Sequence, residues 1–190
     1  MPYKSLTSEQ ILVMLAEAPP RIAALTTSLA PAQLLTGPRQ GEWSAIGVLA
    51  HLRLCADVWG SYIELILAQD RPTIRAVKPT MWIEQKDNPN HEFQPSRHAF
   101  TKHKPTIRSK QTDYLEQEFQ PSLQGFTTQR ADLLALLESL APEDWSRAAI
   151  ITGSGKPREE TVFSYVRRLA LHERPHAKQI ERIVNMINME

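Results

Sequence analysis

Four separate segments of the chain carry apolar residues at alternating three- and four-residue spacing, and this property leaves few folds open to it. Such spacing lines apolar side chains along one face of a helix, and that face must be buried against other helices. The first stripe is Ile11, Leu15, Ala18, Ile22, Leu25 and Leu29, with Thr7 and Ser8 as N-cap candidates; Pro19 and Pro20 predict a kink or a break near Ala18. The second starts behind Ser44 as N-cap and runs to about Gln69, pointing Val48, Leu52, Cys55, Trp59, Tyr62 and Ile66 inward. The third passes through Phe119, Leu123, Phe126, Arg130, Leu133 and Leu137 to Leu140, with a start as early as Asp113 and Pro121 either in its first turn or at a kink. The fourth begins near Thr161 and reaches almost to the C-terminus through Val162, Val166, Leu169, Ile180, Ile183 and Ile187. Strand-like alternation is nearly absent. The predicted class is all-α: an up-and-down four-helix bundle with a long irregular connection between its second and third helices.

That connection runs from Asp70 to about Lys110 and holds Pro72, Pro79, Pro89, Pro95 and Pro105, too many for one helix. The whole chain of 190 residues is read as one domain, residues 1–190, large enough to bury a core without cross-links. Its formal charge of +1 gives no general attraction for nucleic acid, and Lys102, Lys104, Arg108 and Lys110 read as a solvated part of the connection. With Cys55 as the single cysteine there is no internal disulfide, and zinc sites that need two or more cysteines are excluded. The stretch Ile11 to Ala16 is too short for a signal segment and gives way to Glu17; no apolar run approaches the eighteen or so residues of a bilayer span. The expected location is cytoplasmic.

The anomaly lies on the fourth stripe. Stepping from Leu169 by threes and fours places His172 and His176 where aliphatic side chains are expected, before the stripe resumes at Ile180. At i and i+4 two imidazoles project about 40° apart around the axis and one turn apart along it, close enough for one ion to touch both. His51 occupies the inward arc of the second helix, and facing helices about 8 to 10 Å apart let inward side chains converge. Three histidine nitrogens leave coordination positions open for water or substrate. A cluster of hydrogen-bonded core histidines is the competing reading of spacing alone.

Glu42-Trp43-Ser44 followed by His51-Leu52, and His172-x3-His176 followed by Gln179-Ile180, resemble the DinB-like (YfiT-like) family. The run Arg130, Leu133, Leu134, Leu137, Leu140 and Trp145 looks like that family's third helix and its exit. The resemblance implies a four-helix bundle, often a homodimer, in which His51, His172 and His176 hold a divalent metal ion, with zinc or nickel foremost. It also implies a thiol S-transferase, a thiol-dependent isomerase or a hydrolase, with a small electrophilic substrate and a low-molecular-weight thiol as partners. The alternative is a metal-binding, stress-associated dimeric bundle without catalysis. Pro175 departs from the family pattern by sitting inside the helix between the two histidines, where it predicts a kink.

Other residues have plainer readings beside functional ones. Cys55, one turn from His51, is a fourth ligand, a reactive thiol or a buried small hydrophobe. Glu173 is the candidate base or histidine-orienting group, against a solvated or salt-bridged role. Arg130 and Tyr62 are the substrate-binding candidates; a buried pair of Arg130 with an acid such as Asp57 explains the arginine as well. Gly153-Ser154-Gly155-Lys156 fails as a phosphate loop, because Ile150 stands where its first glycine belongs and Pro157 follows, and it reads as a turn. His91, His98 and His103 read as surface residues, and Trp43, Trp59 and Trp145 as packing anchors.

Overall fold

The computed structural model describes residues 6–39, 41–76, 114–153 and 155–189. Four long helices dominate it: α1 (Ser8–Thr26), α3 (Ala45–Ala68), α4 (Phe119–Glu138) and α5 (Val162–Ile187), with a short α2 (Pro31–Leu35) between the first two. Local chemistry accounts for their starts. Thr7 caps α1 reciprocally with Gln10, Ser44 accepts from the Gly47 amide at the head of α3, and Thr161 and Ser164 cap α5 in the same reciprocal way. Pro121 falls in the first turn of α4, where its missing N–H costs nothing. The break allowed for near Ala18 does not occur: α1 continues through Pro19 and Pro20, because Ile11, Leu15, Ala18 and Ile22 keep one face buried on both sides of the prolines.

The all-α class and the four-helix bundle stand as predicted. Periodicity does not carry the order of the helices around the bundle. α5 packs along α1 and α3, while α4 packs along α3 and α1. The pairs α1/α3 and α4/α5 therefore occupy opposite corners, so two of the three connections between long helices cross a diagonal.

A small sheet, unforeseen in the sequence, closes one end. Strand β1 (Thr73–Arg75) lies parallel to β2 (Ala148–Thr152), with Thr73 opposite Ile150, and β2 pairs antiparallel with β3 (Arg158–Thr161), with Ala148 opposite Thr161. The β2–β3 connection contains Gly153 and Gly155 with φ of 83° and 93°, so the glycine-rich run is the predicted turn. Of the expected 70–110 connection, residues 70–76 are described and include β1; His91, His98, His103 and the basic group at 102–110 lie outside the described residues.

The core forms two apolar clusters. One gathers Ile11, Leu15, Val58, Ile63, Ile66, Leu137, Ile151 and Leu169 beneath the sheet; the other gathers Ile22, Leu49, Leu52, Phe126, Ile180 and Ile183 towards the opposite end. His51 falls between Leu49 of the second cluster and Cys55 of the first, and His172 between Ala170 of the first and Ile180 of the second. The histidines thus sit where the two apolar bodies meet. No described helix is long and apolar enough to cross a membrane.

Candidate metal centre

Helix α3 delivers His51 from a buried turn flanked by Ala50 and Leu52, and α5 delivers His172 and His176 from one face of the neighbouring helix. His51 Nε2 lies 3.2 Å from His172 Nε2, which lies 3.3 Å from His176 Nε2. Among the described residues these three form the one group of candidate ligands of that size, with ligand atoms all within 4.8 Å of one another. Nitrogens bound tetrahedrally at zinc–nitrogen distances stand about 3.4 Å apart, so the spacing is that of donors around one ion.

Electrostatics favours the same arrangement. Burial, together with the neighbouring His176, pushes the His51 imidazole down to about 4, and burial with both neighbouring rings pushes His172 down to about 3. His176 is also lowered by burial, against the pull of its Gln179 hydrogen bond. All three rings are therefore neutral at pH 7, the state in which imidazole ligates. The Nδ1–H of His176 donates to Gln179 Oε1 at 2.9 Å, which leaves the Nε2 lone pair aimed at the cluster. Three Nε2 lone pairs turned towards one another repel unless a proton or a cation lies between them. The residues present fit a divalent ion.

Two indoles wall the group. Trp43 lies edge-on to His51 at 5.5 Å between ring centres and stacks on His176 at 6.5 Å, while Trp59 meets His172 edge-on at 5.0 Å. As packing anchors the tryptophans are placed as expected; their contact with every histidine of the cluster was not foreseen. Gln179 was noticed only as part of a motif, although its position three residues after His176 is the signal for a same-face hydrogen bond.

The remaining candidates are distributed as follows. Cys55 is buried with Sγ 3.6 Å from His51 Nε2, burial pushes its thiol up to about 12, and it stands outside the ligand group. Glu173 is buried, not solvated, and accepts from Arg130 Nη2 across the interior; this acid, and not Asp57, is the arginine's partner. Burial pushes the Glu173 carboxyl up against the opposing pull of Arg130. Asp57 instead accepts from the Tyr114 hydroxyl at 2.6 Å and from Gln129 Nε2 at 2.7 Å. Tyr62 is buried with its ring edge-on to Tyr165 at 5.5 Å. Pro175 does not interrupt α5, which runs unbroken from Val162 to Ile187.

Comparison with known proteins agrees with this architecture. A search of curated proteins gives no match. The solved structure of YfiT from Bacillus subtilis, described as a probable metal-dependent hydrolase with an unusual four-helix bundle topology, is similar in fold, with a TM-score of 0.71 and 19% identity over 99% of this chain and 93% of that one. The sequence profile of the DinB superfamily matches residues 14–180, which include all three histidines and most of every long helix, and the chain belongs to that superfamily.

Proposed function

We propose that the chain is a divalent-metal-dependent enzyme, a hydrolase or thiol S-transferase acting on a small electrophilic molecule. The observation that carries this reading is the convergence of three neutral imidazole nitrogens with no fourth protein donor in the group among the described residues, an arrangement that leaves a coordination position for a substrate. The description of YfiT as a probable metal-dependent hydrolase supports it. A divalent ion held by His51, His172 and His176 would supply a Lewis acid that lowers the pKa of a water or thiol and polarises an oxygen. Zinc or nickel suits three imidazoles. The chain's own contribution is to keep the rings neutral, to fix the His176 tautomer through Gln179, and to pack Trp43 and Trp59 against the ligand rings.

The partners assigned are a small molecule and, for transfer, a low-molecular-weight thiol. A non-catalytic metal-binding bundle is the second reading. It is favoured by the engagement of nearby acids elsewhere, Glu173 with Arg130 and Asp57 with Tyr114 and Gln129. Turnover of model esters, amides and alkyl halides, with and without small thiols, separates the two. The expected result is metal-dependent turnover that His51→Ala abolishes; a metal-loaded parent with no turnover above background would leave only the binding role, and equal turnover by parent and variant would take the histidines out of the reaction.

A further inference from the structure

Proline 175 places a weakness at the most demanding point of α5. It has no N–H to give, so the carbonyl of Leu171 lacks its helical donor, and its ring presses on that same preceding turn. The affected turn lies between His172 and His176, whose separation determines whether both reach one ion. Helix propensity is lowest where ligand geometry needs the most rigidity.

Glu173 stands in this turn. Its side chain leaves the ligand face and crosses to α4, where Arg130 Nη2 donates to Oε1, with both residues at most 3% exposed. The Arg130 guanidinium also lies 5.4 Å above the Phe126 ring, which anchors it to its own helix. The pair is poor as a source of stability. Arg130 Nε and Nη1 and Glu173 Oε2 find no partner among the described residues, and two buried charges rarely outperform apolar side chains of similar volume. What it supplies is a directional link between α4 and the turn of α5 that lacks a backbone hydrogen bond. α4 and α5 lie on opposite corners of the bundle, so this link runs through the interior, where few other contacts join them.

We propose that Arg130 and Glu173 are positioning residues that brace the proline-weakened turn and thereby set the spacing of His172 and His176. The inference rests on the reading of the three histidines as a metal site. It makes the two residues supports of the ligands, not groups that touch a substrate.

The test is a double-mutant cycle read in metal affinity, using zinc and cobalt(II) in competition with a chromophoric chelator. Pro175→Ala restores a donor to Leu171 and stiffens the turn by itself. Arg130→Met removes the brace. We expect Arg130→Met to weaken affinity about tenfold in the parent and less than threefold in the Pro175→Ala background, with altered cobalt absorption bands only in the former. Thermal unfolding in chelator, followed in both backgrounds, gives the cost of breaking the buried pair itself, so that a general loss of stability is not read as a change in ligand spacing. Arg130→Lys should restore part of the affinity. If Arg130→Met does not fold, Glu173→Gln in the same two backgrounds gives the same comparison. Equal affinity losses in both backgrounds, or none in the parent, overturn the brace. A parent that binds neither ion overturns the metal site itself, and the brace falls with it.

Discussion

His51 Nε2 and His172 Nε2 stand 3.2 Å apart although 121 residues separate them along the chain. His172 is also the ring that both other histidines face, so it is the keystone of the cluster. We expect His172→Ala to reduce bound divalent metal from about one ion per chain to less than a tenth under the same loading. Elemental analysis after gel filtration measures this, with circular dichroism confirming that the helices remain. Unchanged metal content in a folded variant would remove the site.

Gln179 acts one bond further out. Its Oε1 accepts the Nδ1–H of His176 and so selects the tautomer whose Nε2 faces the cluster. Replacing it with leucine keeps the volume and deletes the acceptor. Loss of such an outer partner costs about 10- to 100-fold in metal affinity, so Gln179→Leu should bind zinc at least tenfold more weakly by chelator competition. Its thermal stability in the metal-free state should stay close to that of the parent.

Much of this was legible in the chain, for a physical reason. Ser44 and Thr161 declare helix starts because their hydroxyls satisfy nearby amides, and the stripes of α3 and α5 expose their histidines as intruders. The sheet was not legible. β1 is three residues long and β3 reads Arg-Glu-Glu-Thr, so neither shows an apolar alternation; both exist through backbone pairing to β2, β3 across a local turn and β1 from a distant part of the chain. The partner of Arg130 was hidden differently. Glu173 lies three residues after Ala170 and four before Ala177, both buried, so its inward position could be read; which acid meets the arginine depends on how the helices are ordered around the bundle.

The approach to α4 is held by a polar contact that a single atom can test. Tyr114 donates its hydroxyl to Asp57 Oδ2 and lays its ring 3.8 Å from the Arg53 guanidinium, which in turn donates to Gln117 and Ser122. Tyr114→Phe keeps the ring and deletes the hydroxyl, which takes one hydrogen-bond donor away from Asp57 Oδ2. The expected cost is about 1–2 kcal/mol, which for a chain of this size lowers Tm by about 2–8 °C. Differential scanning calorimetry measures it, and metal affinity should not change.

Acid should destabilise the metal-free protein earlier than carboxylate chemistry alone predicts. Burial pushes His51 down to about 4 and His172 down to about 3 from the usual 6.5, and lowers His176 as well. Unfolded, these rings take up protons near pH 6.5; folded, they do not. Between about pH 6.5 and 4 the unfolded state therefore binds more protons, so stability rises with pH in that window and is lost as pH falls through it. Glu173 works in the opposite sense, because its raised carboxyl, near 7, gains a proton in the folded state first. Three rings against one carboxyl leave a net loss on acidification, while Cys55, pushed up to about 12, stays neutral throughout. The urea midpoint in chelator should fall steadily from pH 7 to pH 5, and His172→Asn should flatten that slope. A midpoint that holds level or climbs over the same range would show that burial does not hold the folded rings below their usual value.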